Sequence, residues 1–254
     1  MSEPGAGHER LTFVGHATVL LEIGGARILT DPVLRDRILH IRRHAGAVSG
    51  EVVDGIDAVL ISHLHPDHLD PPSLRRVGKE TRVIAPAGSR SLLKRYGLRN
   101  VTELAGGDST EIEGARIDAV PVAHDGRRYP FGPHVPALGY NVQGAANVFF
   151  AGDTAPFDAS GLTGIDVALL PIAGWGPNLR DAHHLNPRTA ALTAAVIGPK
   201  VAVPIHWGTM LRYGLGHRSH EILVRPAEKF TARMAELAPG VEARVLEPGA
   251  STEI

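Results

Sequence analysis

Short apolar runs recur along the chain and are separated by Gly, Pro and Asp, which is typical of β-strands joined by tight turns. The runs at 11–15, 18–23 and 26–32 predict an opening antiparallel meander, with Gly24-Gly25 as a hairpin turn. The later runs predict strands at 58–62, 82–86, 115–122, 137–142, 147–152, 167–172, 201–205 and 243–247. Several of these are continuously apolar, as in strands that are covered on both faces.

Three segments between the predicted strands have helical patterns, at 88–97, 186–198 and 225–240. The second of them has Asn186 as a candidate N-cap, Pro187 in the first turn and Gly198 at its end. A β-rich first half followed by strand–helix alternation predicts a layered α/β domain with the sheets inside. Segment 33–50 fits no regular element, and we predict a loop or a lid there.

Length and composition narrow the class of protein. A chain of 254 residues with 43% hydrophobic residues predicts one domain over 11–254, preceded by a disordered N-terminus over 1–10. A net charge of −1 means that the chain has no overall excess of basic residues, which is the general electrostatic feature of a nucleic-acid-binding protein. The absence of cysteine excludes disulfides, cysteine-bound zinc and thiol catalysis. The first ten residues are polar and no run reaches about 18 apolar residues, which predicts a cytoplasmic protein without a membrane span.

The strongest chemical signal follows the apolar run at 58–62. Its sequence is Ser62-His63-Leu64-His65-Pro66-Asp67-His68, with three histidines and one aspartate within six residues. Imidazole nitrogens and carboxylate oxygens are natural ligands of zinc and similar divalent ions. Because the chain turns at the end of a strand, neighbouring side chains can converge on one ion.

This H-x-H-x-D-H motif resembles the signature of the metallo-β-lactamase superfamily. The resemblance implies a four-layer αββα sandwich and two metal ions, most suitably zinc, with manganese, iron or nickel as alternatives. It implies further ligands at the ends of later strands, where His124, Asp153 and His206 stand. One metal would be held by His63, His65 and His124, the other by Asp67, His68 and His206, and Asp153 would bridge them.

Other segments resemble one branch of that superfamily, which includes N-acylphosphatidylethanolamine-specific phospholipase D and a bacterial ascorbate-6-phosphate lactonase. The matching segments are 14–18 (VGHAT), 29–32 (LTDP), 184–187 (HLNP) and 205–209 (IHWGT). The chain departs from the branch at Arg188-Thr189, where acidic residues are usual. The resemblance implies a hydrolase in which a hydroxide that bridges two metals cleaves a phosphodiester, lactone or other ester bond in a small or lipid-like anionic substrate.

The same comparison suggests roles for further residues. Asp67 and His184 are the candidate catalytic residues, and His184 would protonate a leaving group unless it only packs at the start of a helix. The neighbouring His183 is a weaker candidate. We expect His16 and Asp31 to orient metal ligands through hydrogen bonds, with turn capping as the alternative for Asp31.

Substrate contacts are less specific in the sequence. The candidates are Arg127 and Arg128 for an anionic group, and Trp175, Trp207, Tyr129 and Phe131 for an apolar wall. Four further arginines form either a lid over an anionic substrate or a solvated face, and they are Arg35, Arg37, Arg42 and Arg43. Two alternative functions stay open: a metal-dependent RNA nuclease, which the charge disfavours, and a non-catalytic metal-binding module that binds a partner. Oligomeric state is not readable from the sequence.

Overall fold

The computed structural model of the chain describes residues 9–174 and 184–254. In chain order, the strands within these ranges are β1 (Arg10–Gly15), β2 (Thr18–Ile23), β3 (Ala26–Thr30), β4 (Arg37–Ile38), β5 (Ile41–Arg43), β6 (Ala58–Leu60), β7 (Arg82–Pro86), β8 (Val101–Leu104), β9 (Ser109–Ile112), β10 (Ala115–Asp125), β11 (Pro136–Gln143), β12 (Asn147–Phe150), β13 (Val167–Pro171), β14 (Val201–Ile205), β15 (Met210–Arg212), β16 (Glu242–Ala243) and β17 (Ser251–Glu253). The helices are α1 (Pro71–Val77), α2 (Arg90–Arg95), α3 (Pro187–Ile197), α4 (Ser219–Leu223) and α5 (Arg225–Leu237).

The first large sheet has the strand order β17-β1-β2-β3-β6-β7-β8. Its β1, β2 and β3 form the predicted antiparallel meander, and β3, β6, β7 and β8 run parallel. Parallel neighbours need crossover connections, and α1 and α2 lie in two of them. These helices bury Leu74, Leu92 and Leu93 in one apolar cluster with Val59 and Val83 of the sheet. One helical layer therefore covers the outer face of this sheet.

The second large sheet has the order β16-β14-β13-β12-β11-β10-β9. It is antiparallel from β9 to β12 and parallel from β12 to β16. Helices α3 and α5 contribute Ala190, Ala194, Phe230 and Met234 to the core on this side. As predicted, α3 begins after Asn186, whose side chain accepts hydrogen bonds from the first turn.

The two large sheets share one buried apolar cluster. Phe13 and Leu21 enter it from the first sheet, and Tyr140 and Val148 from the second. The Tyr140 hydroxyl donates a 2.8 Å hydrogen bond to the Ile61 carbonyl at the end of β6, which ties the sheets together beside the histidine motif. The order of layers is helix, sheet, sheet, helix, so the predicted αββα sandwich is confirmed.

Segment 33–50, for which we predicted a loop or a lid, is mostly loop but contains two short strands. Its β4 and β5 make a hairpin, and β5 pairs with β15 in a separate three-stranded sheet. The strand predicted at 243–247 is wrong in extent, because its pairing covers only Glu242–Ala243. Helix α1 was not predicted.

The ordered chain begins earlier than the predicted boundary. Residue Arg10 already belongs to β1, and Glu9 is buried, with its carboxylate accepting backbone hydrogen bonds from Gly24, Ala145 and Ala146. The prediction of disorder is therefore wrong for Glu9 and Arg10, and residues 1–8 lie outside the described residues. Within the described ranges, no helix is both long and apolar enough to cross a bilayer.

Candidate metal centre

The predicted ligands converge because the strands that carry them end at one edge of the sandwich. The histidine motif follows β6 of the first sheet. In the second sheet β10, β12 and β14 point in the same direction, and each carries one further candidate at or just beyond its carboxyl end. These candidates are His124, Asp153 and His206.

Three histidines form the first group, namely His63, His65 and His124. The Nε2 atom of His63 lies 2.9 Å from Nδ1 of His65, and Nε2 of His124 lies 3.3 Å from the same Nδ1. Two nitrogens on a tetrahedral zinc ion with bonds of about 2.0–2.1 Å lie about 3.3 Å apart, so this spacing fits a shared ion. Burial and the neighbouring histidines, His124 above all, lower the pKa of His65 to about 4. The ring is therefore neutral at pH 7, as a metal ligand must be.

The second group contains Asp67, His68 and His206, as predicted, together with His16. Oδ2 of Asp67 lies 3.3 Å from Nε2 of His16 and 3.9 Å from Nε2 of both His68 and His206. Backbone contacts fix His16, because its N–H donates to Thr209 Oγ1 and its carbonyl accepts from the His206 N–H. We expected His16 to orient a ligand through a hydrogen bond, and its ring lies among the candidate ligands with Nε2 facing Asp67. The sequence signal was a lone histidine after a strand, which is too weak to reveal this.

Asp153 lies between the two groups. Its Oδ2 is 3.3 Å from Nε2 of His68, and its Oδ1 is 3.3 Å from Nε2 of His206. It also belongs to a cluster with His124 and His184. Burial opposes its ionisation, but the electrostatic interactions with His206 and His68 hold the pKa of Asp153 well below its usual range. The carboxylate is therefore ionised and faces both groups.

Asp31 fixes the orientation of histidines in both groups. Its buried carboxylate accepts hydrogen bonds from His68 Nδ1 at 2.7 Å, from Ser62 N at 2.7 Å and from Ser62 Oγ at 2.5 Å. Because the Ser62 hydroxyl donates to Asp31, its oxygen accepts from His63 Nδ1, which lies 2.9 Å away. In both histidines the proton is thus on Nδ1, which leaves Nε2 free to bind a metal.

The chemistry of this donor set fits divalent cations. Several buried atoms have no hydrogen-bond partner within the described residues, and they include His16 Nε2, His68 Nε2, His206 Nε2 and Asp153 Oδ1. Leaving such groups unsatisfied costs about 1–3 kcal/mol each. The carboxylates of Asp31, Asp67 and Asp153 also surround His68, and buried carboxylates require cations nearby. Bound metal ions would meet both requirements.

His184 reaches the centre. Its Nδ1 lies 3.5 Å from Asp153 Oδ2, and its ring centroid lies 4.9 Å from that of His124. Gly174 packs against this ring, since a Cβ added there would lie 2.7 Å from His184 Cγ. The neighbouring candidates His183 and Trp175 lie outside the described residues.

Two of the predicted substrate-binding residues, Arg128 and Trp207, make contacts that stabilise the fold. Arg128 donates from Nη1 to the carbonyls of Leu64 and Leu69, at 3.1 and 2.8 Å, and so ties down both ends of the histidine loop. Trp207 is 4% exposed, stacks on Phe13 and donates from Nε1 to the Pro204 carbonyl, so it belongs to the core and not to the wall of a cleft. In contrast, Arg127, Tyr129 and Phe131 are exposed.

The four arginines of segment 35–43 divide between structural contacts and the surface. Arg35 pairs with the buried Asp70, and Arg43 is buried and donates to the Val14 carbonyl. Arg42 is exposed, and the exposed Arg37 lies over the Tyr213 ring. The four arginines therefore do not act together, either as a lid or as a solvated face.

Comparison with known proteins identifies the family. A family model described as a beta-lactamase superfamily domain matches residues 26–207. N-acyl-phosphatidylethanolamine-hydrolyzing phospholipase D 1 of Caenorhabditis elegans is 30% identical over 251 residues, which cover 88% of this chain and 69% of that protein. A metal-dependent hydrolase of Methanopyrus kandleri is 32% identical over 254 residues, which cover 96% of this chain and 99% of that protein.

A solved structure supports the fold. A metallo hydrolase from Ignicoccus hospitalis matches with a TM-score of 0.70 at 24% identity, over 97% of this chain and 98% of its own. The family match covers more than half of the chain and includes the histidine motif and the candidate ligands at the ends of β10, β12 and β14. The chain therefore belongs to the β-lactamase superfamily and is a metal-dependent hydrolase with the metallo-β-lactamase fold.

Proposed function

We propose that the protein hydrolyses a phosphodiester, or a lactone or other carboxylic ester, in a small or lipid-like anionic substrate, with two divalent metal ions, zinc in the first place. The first ion would be held by His63, His65 and His124, and the second by Asp67, His68 and His206. The observation that carries this proposal is the division of the cluster into two groups, with Asp153 in contact with the second and clustered with His124 of the first.

Two ions bound here would supply a hydroxide nucleophile at neutral pH and Lewis-acid polarisation of the scissile bond. The side chains have separate tasks. Asp31, directly and through Ser62, keeps Nε2 of His68 and His63 directed at the centre. Arg128 fixes the loop that carries the histidine motif. No nucleophilic side chain is required, which agrees with a chain that contains no cysteine.

His184 is the proposed proton donor to the leaving group. Its Nδ1 faces Asp153, so Nε2 is the nitrogen that would exchange a proton with substrate. The side chain is 16% exposed, which leaves an edge of the ring open to the outside. This exposure distinguishes His184 from His63, His68 and His206, whose rings are buried.

A relative with a named substrate favours an anionic substrate. The relative from Caenorhabditis elegans is named as a phospholipase that hydrolyses N-acyl-phosphatidylethanolamine, a molecule that contains a phosphodiester. Phosphodiesters are therefore the first substrate class to test.

The test is hydrolysis of bis(p-nitrophenyl) phosphate by the protein loaded with zinc or manganese. Asp67→Ala removes a proposed ligand, and Asp166→Asn is the matched control, because Asp166 precedes β13 at the opposite edge of the sheet. We expect metal-dependent turnover in the wild type and the control, and a loss of at least about 100-fold in Asp67→Ala. Near-normal turnover of a folded Asp67→Ala would refute the mechanism. If metal binds but no phosphodiester is cleaved, the reaction belongs to lactones and other carboxylic esters, which the same variants then test.

A further inference from the structure

A cavity of about 300 Å³ lies beside the candidate metal centre. Three chain segments enclose it: the hairpin of β4 and β5, the histidine loop with the start of α1, and the loop that follows β10. Its wall includes Leu39 at the hairpin tip, Pro66 and Tyr129. Because Pro66 stands between the proposed ligands His65 and Asp67, a group in this cavity would be one residue away from the metal centre. We call it the side pocket.

The charged groups that line the side pocket are already paired. Arg35 donates from Nε and Nη2 to both carboxylate oxygens of Asp70, at 2.7–3.0 Å. Arg128 donates to two backbone carbonyls and lies over the Tyr96 ring at 5.7 Å. The Arg35–Asp70 pair balances its own charge, and the contacts of Arg128 hold its guanidinium against the two carbonyls and the Tyr96 ring. The remaining lining is largely hydrocarbon, which favours an uncharged occupant.

The mouth of the pocket exposes apolar side chains at a conformational cost. Leu39 is 70% exposed and its φ is 48°, in the left-handed region that favours Gly or Asn. Tyr129 is 52% exposed, and its ring centroid lies 5.7 Å from that of His65. Leucine therefore occupies a strained turn position at which it is mostly exposed and lines the cavity. Strain of this kind is a signature of functional positions.

We propose that the side pocket binds an uncharged alkyl or aryl arm of the substrate while the bond to be hydrolysed lies at the metal centre. This inference rests on the proposed hydrolysis at that centre. A cavity of about 150 Å³ holds a benzene ring, so this one accepts an aromatic ring with its linker or a medium-length alkyl chain. The substrate class is then an ester of an anionic headgroup with an apolar substituent, and Leu39 contributes to the choice of that substituent.

The kinetic test compares methyl p-nitrophenyl phosphate with hexyl p-nitrophenyl phosphate, which share one leaving group. We expect the wild type to prefer the hexyl ester by about tenfold or more in kcat/KM, as apolar pockets discriminate at this level. Leu39→Asn keeps the size of the side chain and suits the left-handed turn, so the variant should fold with an unchanged or raised Tm. It should lose most of the hexyl preference while its activity on the methyl ester stays near that of the wild type.

Two further variants control this comparison. Leu39→Met restores an apolar side chain and should restore the preference. Val196→Thr changes a side chain that is 59% exposed on α3, away from the pocket lining, and should leave the preference intact. A hexyl preference that survives Leu39→Asn unchanged, or one that Val196→Thr also abolishes, would overturn the role of the side pocket.

A binding measurement separates this inference from the proposed reaction. Hexylphosphonate and methylphosphonate are titrated into the zinc-loaded full chain by calorimetry. We expect the hexyl compound to bind about tenfold more tightly, with a more negative heat-capacity change, and this difference to vanish in Leu39→Asn. If neither phosphate ester is hydrolysed but the binding difference holds, the phosphodiesterase reaction fails and the pocket assignment stands. Equal binding of the two phosphonates refutes the pocket assignment.

Discussion

Replacement of Asp31 by Asn tests how the two groups of histidines are held in place. The Asp31 carboxylate is fully buried and accepts three hydrogen bonds, from His68 Nδ1, Ser62 N and Ser62 Oγ. In Asp31→Asn, the amide keeps the size of the side chain and one acceptor for the Ser62 N–H. Its NH2 group then faces His68 Nδ1. His68 must accept there and carry its proton on Nε2, where it cannot bind a metal.

The expected loss of zinc affinity follows from the role of carboxylates that hold metal-binding histidines. Loss of a hydrogen-bond partner behind a metal-binding histidine costs about 10–100-fold in metal affinity. This is about 1.4–2.8 kcal/mol at 1.4 kcal/mol for each tenfold change. The metal-free variant should also lose about 1–3 kcal/mol of unfolding free energy, because the hydrogen bonds that Ser62 Oγ and His68 Nδ1 donate to the buried carboxylate must be replaced.

The assay is competition for zinc between the protein and a chelator of known affinity, with the unfolding free energy of the metal-free chain measured in parallel. Asp166→Asn is the control, because Asp166 also accepts a backbone N–H from a neighbouring strand, that of Asn147 at 2.8 Å, but at the opposite edge of the sheet. We expect weaker zinc binding in Asp31→Asn alone. Wild-type zinc affinity in a folded Asp31→Asn would refute the proposed orientation of His63 and His68.

Three further predictions address other parts of the structure. Gly174→Ala places a Cβ 2.7 Å from His184 Cγ and displaces that ring, so kcat on a hydrolysed ester should fall by about 100-fold with zinc content unchanged. The control is Gly161→Ala, whose added Cβ meets nothing within 4 Å and which should leave kcat unchanged. Equal kcat values for the two variants would contradict the role of His184. Arg128→Met removes the donors to the Leu64 and Leu69 carbonyls, so it should lower the zinc affinity and should lower the unfolding free energy by about 1.5–3 kcal/mol. A rise in KM alone would instead indicate that Arg128 contacts the substrate. The Lys200 ammonium lowers the pKa of Asp166 below 3.8, so this contact stabilises the fold above pH 3.8 and is lost as pH falls through the lower pKa of the folded state. The difference in Tm between the wild type and Asp166→Asn should therefore shrink as pH falls over that range. A difference in Tm that is constant with pH would contradict this contact.

Local patterns in the sequence were sufficient to predict several of the elements that surround the candidate metal centre. The meander of β1, β2 and β3 follows from apolar runs around Gly24-Gly25, and α3 follows from Asn186, Pro187 and Gly198. The histidine motif follows β6 directly, so its position at a strand end was readable. In each case the determinants lie within a few residues of the element that they specify.

The rest depends on contacts between distant parts of the chain. The hairpin of β4 and β5 is short and polar, and β5 pairs with β15, about 170 residues later. Helix α1 begins with Pro71-Pro72, which resembles a breaker until Asp70 is identified as its N-cap. His16 joins the centre because the strand that precedes it belongs to the same sheet as the strand before the histidine motif. Trp207 enters the core because its ring stacks on Phe13. No local pattern contains these partners.

The central claim is that hydrolysis depends on two metal ions held by the two groups of ligands. The most direct measurement is the rate of bis(p-nitrophenyl) phosphate hydrolysis as zinc is added in known equivalents to the metal-free chain. We predict that turnover rises until two zinc ions are bound per chain, and that Asp67→Ala binds one and stays inactive. Full turnover with a single bound ion, or an unchanged response in Asp67→Ala, would contradict it.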